Sequence, residues 1–253
     1  MSREHVLRRL IIGRNPVLEA LKAGTELSGI SILKGAEGGV IREIRSLAER
    51  RGIPVKEASR DEISGISPDS RAQGVVAFAA EQQTIDLATL IEYAKAGQEP
   101  GFIVLPDQME DPGNLGALIR TAECVGAHGL VITKHHSASL SPGTIKASAG
   151  ATEYVRVAQV SNLVNAITQL KESGFWIVGL DMAGDRSYTK VDYTGAIAIV
   201  VGGEGKGIRR LVREHCDFLV KIPLLGKISS LNASVAGALI MYEVRRQRTP
   251  AQV

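Results

Sequence analysis

The sequence predicts a two-part α/β protein, a small amino-terminal α/β domain followed by a larger, mostly parallel sheet with helices on both faces. Three observations lead there. A polar, acid-rich stretch interrupts the chain at residues 80–100, and beyond it short, continuously apolar runs recur between helical patterns. The chain has 253 residues, 44% hydrophobic and 23% charged, which exceeds one ordinary domain and supplies enough apolar material for packed cores. Strands buried on both faces read as unbroken apolar runs, and the helices between them provide the crossovers that parallel strands require.

In residues 1–79, Pro16–Ala23 reads as helix, Ile30–Leu33 as strand, Val40–Arg51 as helix, and Ile53–Val55 and Gly74–Ala79 as strands. This segment holds 13 Lys and Arg against 10 Asp and Glu, a mildly basic balance. Arg8, Arg9, Arg14, Arg42, Arg45, Arg50, Arg51 and Arg71 are candidates for phosphate contact, with a solvated surface as the alternative. Residues 80–100 reverse the balance, with one Lys against four acids around a weak helical stretch at Leu87–Tyr93, and read as a linker. In residues 101–253 the expected strands are Phe102–Leu105, Gly129–Ile132, Tyr154–Val157, Trp176–Leu180, Ala196–Val201 and Leu219–Ile222.

Several function classes are excluded or disfavoured. No apolar run approaches the roughly 18 residues of a membrane span, and Met1-Ser2-Arg3-Glu4-His5 does not open a signal-like segment, so a soluble cytoplasmic protein is expected. Cys124 and Cys216 are too few and too far apart for a disulfide framework or a four-cysteine zinc site, and read as reduced thiols. His135-His136 has no partners at ligand spacing, and no metal is expected. Asn232-Ala233-Ser234 matches a glycosylation sequon that a cytoplasmic location makes irrelevant. The net charge of +3 neither demands nor excludes a nucleic acid.

In a parallel sheet ligands collect at the carboxyl ends of strands, and three loops there carry unusual chemistry. The first runs from Asp107 to Gly116, with a turn at Pro112-Gly113, and opens a helix whose buried stripe is Leu115, Leu118, Ile119, Ala122 and Val125. Asn114 is either a helix cap or a functional amide, and Arg120, outside the stripe, is either a solvated charge or a phosphate clamp. The second is Val200-Val201-Gly202-Gly203-Glu204-Gly205-Lys206-Gly207, before a helix expected at about 208–215. Its glycines allow close approach of the backbone to a ligand. It is neither a P-loop, since Gly207 follows Lys206 where Ser or Thr is needed, nor the dinucleotide fingerprint. Glu204 would repel a phosphate and suits a cationic or hydroxyl-bearing ligand. The third leads from Ile222-Pro223 through Ser229-Ser230-Leu231-Asn232 into a long helix, with Val235, Leu239 and Tyr242 expected on its apolar face and Arg245-Arg246-Gln247-Arg248 at its end. Ser229, Ser230 and Asn232 are good capping residues and equally good pocket linings.

Taken in this order, Asp111-Pro112-Gly113-Asn114-Leu115-Gly116 with Arg120-Thr121-Ala122-Glu123, then Gly202-Gly203-Glu204-Gly205-Lys206-Gly207, then Ile222-Pro223 through Ser229-Ser230-Leu231-Asn232-Ala233-Ser234-Val235-Ala236, resemble the three motifs of the SpoU (SPOUT-class) RNA 2′-O-ribose methyltransferases. The opening Gly13-Arg14-Asn15-Pro16-Val17-Leu18-Glu19-Ala20-Leu21 is similar to the substrate-binding domain of the subgroup that modifies guanosine in large-subunit ribosomal RNA. The resemblance implies a trefoil knot at the carboxyl side of the catalytic domain, S-adenosylmethionine as cofactor, RNA as partner and a homodimer. It assigns catalysis to Asn114, Arg120, Glu204, Ser230 and Asn232. Cofactor contacts fall to Leu180, Gly202, Gly203, Gly205, Ile222 and Leu231, and RNA contacts to Arg14 and Arg120. Arginine almost never loses its proton, so Arg120 is expected to anchor phosphate and stabilise a developing oxyanion, with general base action as the rival. Other readings are a transfer-RNA 2′-O-methyltransferase, a noncatalytic RNA-binding ribosome-assembly factor, and a nucleotide-dependent oxidoreductase, the last disfavoured by the missing dinucleotide fingerprint.

Overall fold

A computed structural model describes residues 8–66, 73–80, 82–135, 137–205 and 207–249. The chain forms two compact units, residues 1–83 with 140–154, and residues 84–139 with 155–253. The first contains β1 (Arg8–Ile12), α1 (Arg14–Lys22), β2 (Leu27–Leu33), α2 (Gly39–Arg50), β3 (Val55–Ala58), α3 (Arg60–Ile66) and β4 (Val75–Ala80). Its sheet has the order β1-β4-β2-β3, with β4 antiparallel to both neighbours and β2 parallel to β3. Val17 and Leu21 of α1 and Ile41 and Ile44 of α2 pack with Ile11, Ile30, Ile32, Val75 and Ala77 of the sheet. Pro16 sits in the first turn of α1, where a missing N–H costs nothing. Several elements differ from expectation, and β2 begins at Leu27, three residues before its expected start. β1 opens with two arginines, and its apolar run is only Leu10-Ile11-Ile12, too short to read as a strand from the sequence. α3 buries only Ile63. β3 begins two residues later than expected because it is an edge strand whose Lys56 and Glu57 face solvent.

The second unit continues with α4 (Leu87–Ala96), β5 (Phe102–Asp107), α5 (Pro112–Cys124) and β6 (Gly129–Thr133). Next comes α6 (Pro142–Ala147), which groups with the first unit and adds Ile145 to its core. In that same unit Glu153 pairs with Arg9 Nη2 at 2.6 Å and accepts a bond from Thr25 Oγ1 at 2.6 Å. The chain then forms β7 (Arg156–Val160), α7 (Leu163–Glu172), β8 (Trp176–Leu180), β9 (Arg186–Ser187), β10 (Ile197–Gly202), α8 (Arg210–Glu214), β11 (Phe218–Lys221) and α9 (Ala233–Arg248). The grouping by contacts differs from the expected linker at 80–100 and from a second domain running unbroken from residue 101. Within the linker stretch, α4 buries Leu87, Leu90, Ile91 and Ala94 at helical spacing, and residues 140–154 belong with the first unit.

The seven-stranded sheet has the order β7-β6-β5-β10-β8-β11-β9, and every neighbouring pair is parallel. One face packs Leu90 of α4, Ile167 of α7 and Val212 of α8 against Ile103, Ile177 and Val200. Side chains alternate along a strand, so Val201 faces the other way, toward α5 and α9. There α9 approaches so closely that a Cβ on Gly237 would lie 2.5 Å from Leu118 Cδ1. β10 inserts between β5 and β8, and after β11 the chain returns to lay α9 on α5 and β10. This is the stretch to which the resemblance assigns the knot.

The expected apolar face of α9 is a correction. Val235, Leu239 and Tyr242 are exposed, while Ala233, Gly237, Ile240, Met241 and Val244 are buried. Two apolar stripes share this helix, and only the one that carries Gly237, Ile240, Met241 and Val244 meets the core. Among the described residues no helix is long and apolar enough to cross a membrane.

Candidate active site

The site is built where β5, β8, β10 and β11 end. At the end of β5 the Asp107 side chain is fully buried and accepts bonds from Arg209 N and Nε, each at 2.8 Å, with Arg209 Nη2 2.6 Å away. The Asp107 carbonyl accepts from Gly203 N at 2.8 Å. The next residue, Gln108, lies in the left-handed region at φ 54°, and its carbonyl occupies the space a Cβ on Gly203 would need. The first and second loops are thus locked together by a charge-assisted fork and by a backbone approach that only glycine permits.

The helix that leaves the first loop is capped by Asp111, whose Oδ1 accepts from Asn114 N at 2.7 Å. Asn114 is therefore not the cap. It is the third residue of α5, and its side chain is released to reach across to α9. There Asn232 is the cap: its Oδ1 accepts from Ser234 N at 3.0 Å and Val235 N at 3.2 Å. The amide nitrogen of the same residue donates to Asn114 Oδ1 at 2.8 Å and to Glu204 Oε1. One asparagine thereby joins a residue from each of the three loops, and both ends of its amide are used.

Beside this junction lies a cavity of about 500 Å³, within the roughly 300–1,000 Å³ of small-molecule sites. Leu180, Gly202, Gly203, Gly205, Ile222 and Leu231 all line it, together with Glu204 and Ser230. Its walls include the apolar Val201 and Leu224, and among the described residues its charged groups are Asp181, Glu204 and Arg213. Among the described lining residues the two carboxylates outnumber the one guanidinium, which disfavours a polyphosphate and fits a ligand with a cationic centre.

Not every expected residue gathers there. Arg120 lies on the exposed face of α5, outside the cavity lining, and has no hydrogen-bond or ion-pair partner among the described residues. In the first unit Arg14 donates to the carbonyls of Gln73 at 3.1 Å and Glu37 at 3.3 Å. Arg45 pairs with Glu57, and Arg51 holds the carbonyls of Leu21, Gly24 and Thr25. Arg42 and Arg50 are exposed and keep their guanidinium groups free among the described residues. Arg71, His136, Lys206 and the side chain of Arg8 lie outside the described residues. His135 is exposed, and among the described residues no cluster of metal-ligating side chains occurs.

The chain's likeness to known proteins agrees with this geometry. The SpoU rRNA Methylase family model matches residues 101–242, and a model described as RNA 2′-O ribose methyltransferase substrate binding matches residues 10–85. The chain belongs to the SpoU methylase family. A TrmH family relative from Bacillus subtilis (strain 168), named a putative tRNA/rRNA methyltransferase, YacO, is 40% identical over 250 residues, covering 99% of both chains. Among solved structures, an RNA 2′-O ribose methyltransferase superposes with a TM-score of 0.81 at 27% identity, covering 97% of this chain and 91% of the other. The SpoU methyltransferase AviRb from Streptomyces viridochromogenes, crystallised with its cofactor AdoMet, superposes at 0.79 with 26% identity, covering 95% and 90%. SpoU methylases are S-adenosylmethionine-dependent RNA methyltransferases, and the α/β fold with its small amino-terminal domain is that of the family.

Four residues of this SpoU site escaped the sequence reading: Asp107, Asp181, Arg209 and Arg213. Asp107 stood at the head of the first loop, yet an aspartate at a strand end signals only a turn. Its partner lies 102 positions away, beyond any local pattern.

Proposed function

We propose that this SpoU methylase transfers the methyl group of S-adenosylmethionine to a ribose 2′-hydroxyl of RNA, with a guanosine of large-subunit ribosomal RNA as its target and the cytoplasm as its location. The observation that carries the reading is the bridge from Asn232 to both Asn114 and Glu204 at the edge of the 500 Å³ cavity. Leu180, Gly202, Gly203, Gly205, Ile222 and Leu231 would hold the cofactor, whose purine suits the apolar walls and whose sulfonium suits the acid-bearing glycine loop. When bound, it supplies a methyl group on a sulfonium that departs as a neutral thioether and so needs no acid. The protein's task is to orient the ribose oxygen in line with that methyl group. Asn114, Ser230 and Asn232 fix hydroxyl groups, and Glu204 orients Asn232 from the glycine loop. Arg120, always charged, anchors the RNA phosphate and stabilises negative charge developing on the 2′-oxygen as the hydroxyl proton passes to water.

The exposed stripe Val235, Leu239 and Tyr242 on α9 supports a homodimer, because a second copy would remove apolar surface of three large side chains from water. Arg42 and Arg50, together with Arg14, are the amino-terminal unit's RNA contacts in this reading. The test is labelled methyl transfer to total RNA from cells lacking the gene, followed by mapping of the modified ribose. Label on a guanosine 2′-oxygen of large-subunit RNA is expected. Label on transfer RNA would move the target, and a chain that binds RNA without transferring label would be an assembly factor.

A further inference from the structure

We propose that Asp181 and Arg213 form the subsite for the amino-acid end of the methyl donor, gripping its ammonium and carboxylate side by side; this rests on the cofactor reading above. Both residues line the cavity but belong to none of the three motif loops: Asp181 follows β8, and Arg213 lies on α8. Asp181 is firmly held. Its N–H donates to the carbonyl of Val220 at 2.9 Å, its carbonyl accepts from Gly184 N at 3.0 Å, and its Oδ1 accepts from Ala183 N at 2.8 Å. That leaves Oδ2, which stands 3.9 Å from Arg213 Nη1. At this separation the two charges attract without a hydrogen bond, so both keep capacity for another partner.

The side chains are 12% exposed for Asp181 and 38% for Arg213, which places them at the wall of the cavity rather than on open surface. A ligand that covered the pair without bonding it would take the Asp181 Oδ2 out of water with no partner, a costly arrangement. The complementary ligand group carries one cation and one anion on adjacent atoms. An α-amino acid does so: its ammonium needs one free carboxylate oxygen, and its carboxylate matches the planar donor fork of arginine. A ribose diol fits less well, because it could bond the Asp181 carboxylate but carries no anion for the Arg213 fork beside it. The zwitterion also leaves the pair electrically neutral, while Glu204, elsewhere on the cavity wall, remains for the sulfonium.

The test compares two nucleosides by calorimetry on the full chain: S-adenosylhomocysteine, which has the amino-acid tail, and 5′-methylthioadenosine, which lacks it. Asp181→Asn preserves the Oδ1 acceptor and neutralises the group, and Arg213→Ala removes the fork. Each variant is expected to weaken S-adenosylhomocysteine about ten- to a hundredfold and to leave 5′-methylthioadenosine within about twofold. Equal weakening of both ligands would overturn the subsite and assign the pair to the nucleoside or to pocket structure, and unchanged binding of both would overturn it as well. Thermal melts of the variants, expected to match the parent, exclude unfolding as the cause of a selective loss. A wild-type chain that binds neither nucleoside would sink the cofactor reading itself, an outcome visible before any substitution is made.

Discussion

Both ends of the large sheet use polar side chains to tie loops together, as Asp107 and Arg209 do at the carboxyl ends, but they differ in the polar groups they leave free. At the amino ends of the strands, Arg248 donates to the carbonyls of Pro100, Gly101, Tyr193 and Gly195 at 2.7, 3.2, 3.0 and 2.6 Å, and His128 Nδ1 accepts from Phe102 N at 3.0 Å. Arg245 and Arg246 nearby are paired with Glu99 and Glu243. The cationic end of α9, which in sequence could pass for an RNA contact, is therefore largely occupied in holding loops. At the carboxyl ends and on α5, Glu204 and Ser230 are exposed, and Ser230 and Arg120 have no hydrogen-bond partner among the described residues. A folded chain satisfies its polar groups wherever stability is at stake. Groups left with spare capacity, beside a cavity, are available to a ligand. The contrast implies that substitutions at one end should cost rate and at the other end stability.

The largest effect is expected from Arg120→Ala, since removing a preorganised charge from a developing oxyanion costs about 10²–10³ in rate. Methyl transfer under single-turnover conditions should fall by that factor, with unchanged cofactor affinity and melting temperature. Near-wild-type turnover would reduce Arg120 to a solvated charge. The mirror experiment is Arg248→Ala, which strands several carbonyls at once and should lower unfolding free energy by about 2–3 kcal/mol in urea titrations. Residual activity of the folded fraction should be normal. A variant as stable as the parent would show that the amino-end bonds are incidental.

The sequence disclosed these two ends unequally. Buried strands such as Phe102–Asp107 and Ile197–Gly202 are legible because a short, unbroken apolar run between helical patterns fits a strand covered on both faces. The three loops are legible because glycines and polar residues cluster where strands end, and their family pattern is specific. What linked them was not legible: Asn232 and Asn114 are 118 positions apart, and Asp107 and Arg209 are 102 apart. Such contacts arise from strand order, and no local period encodes the insertion of β10 between β5 and β8. α9 misled for a different reason. Its exposed Val235, Leu239 and Tyr242 follow helical spacing as well as its buried residues do, and periodicity cannot say which stripe meets the core.

A smaller effect should come from Asn232→Asp, which separates the two ends of one amide. Aspartate still caps α9, so stability should change by less than about 1 kcal/mol. It can no longer donate to Asn114, and its carboxylate confronts Glu204, so transfer should fall about tenfold or more. Equal losses of stability and rate would mean that Asn232 serves the helix alone.

The smallest expected effect lies in the pH dependence of stability, and it tests the amino end. Burial, aided by the charge of Arg248, holds the His128 imidazole below its ordinary pKa. Its Nδ1 must stay unprotonated to accept the bond from Phe102. A unit or more above the ordinary imidazole pKa of about 6.5 the ring is neutral in both folded and unfolded chains and contributes no pH dependence. As pH falls through that value the unfolded chain binds the proton first, so stability declines until the folded-state pKa is passed. His128→Asn keeps an acceptor for the same N–H and removes the titration. Urea midpoints of the variant should therefore vary less between pH 7 and pH 5 than those of the parent, and parallel curves would show that some other group sets the acid sensitivity.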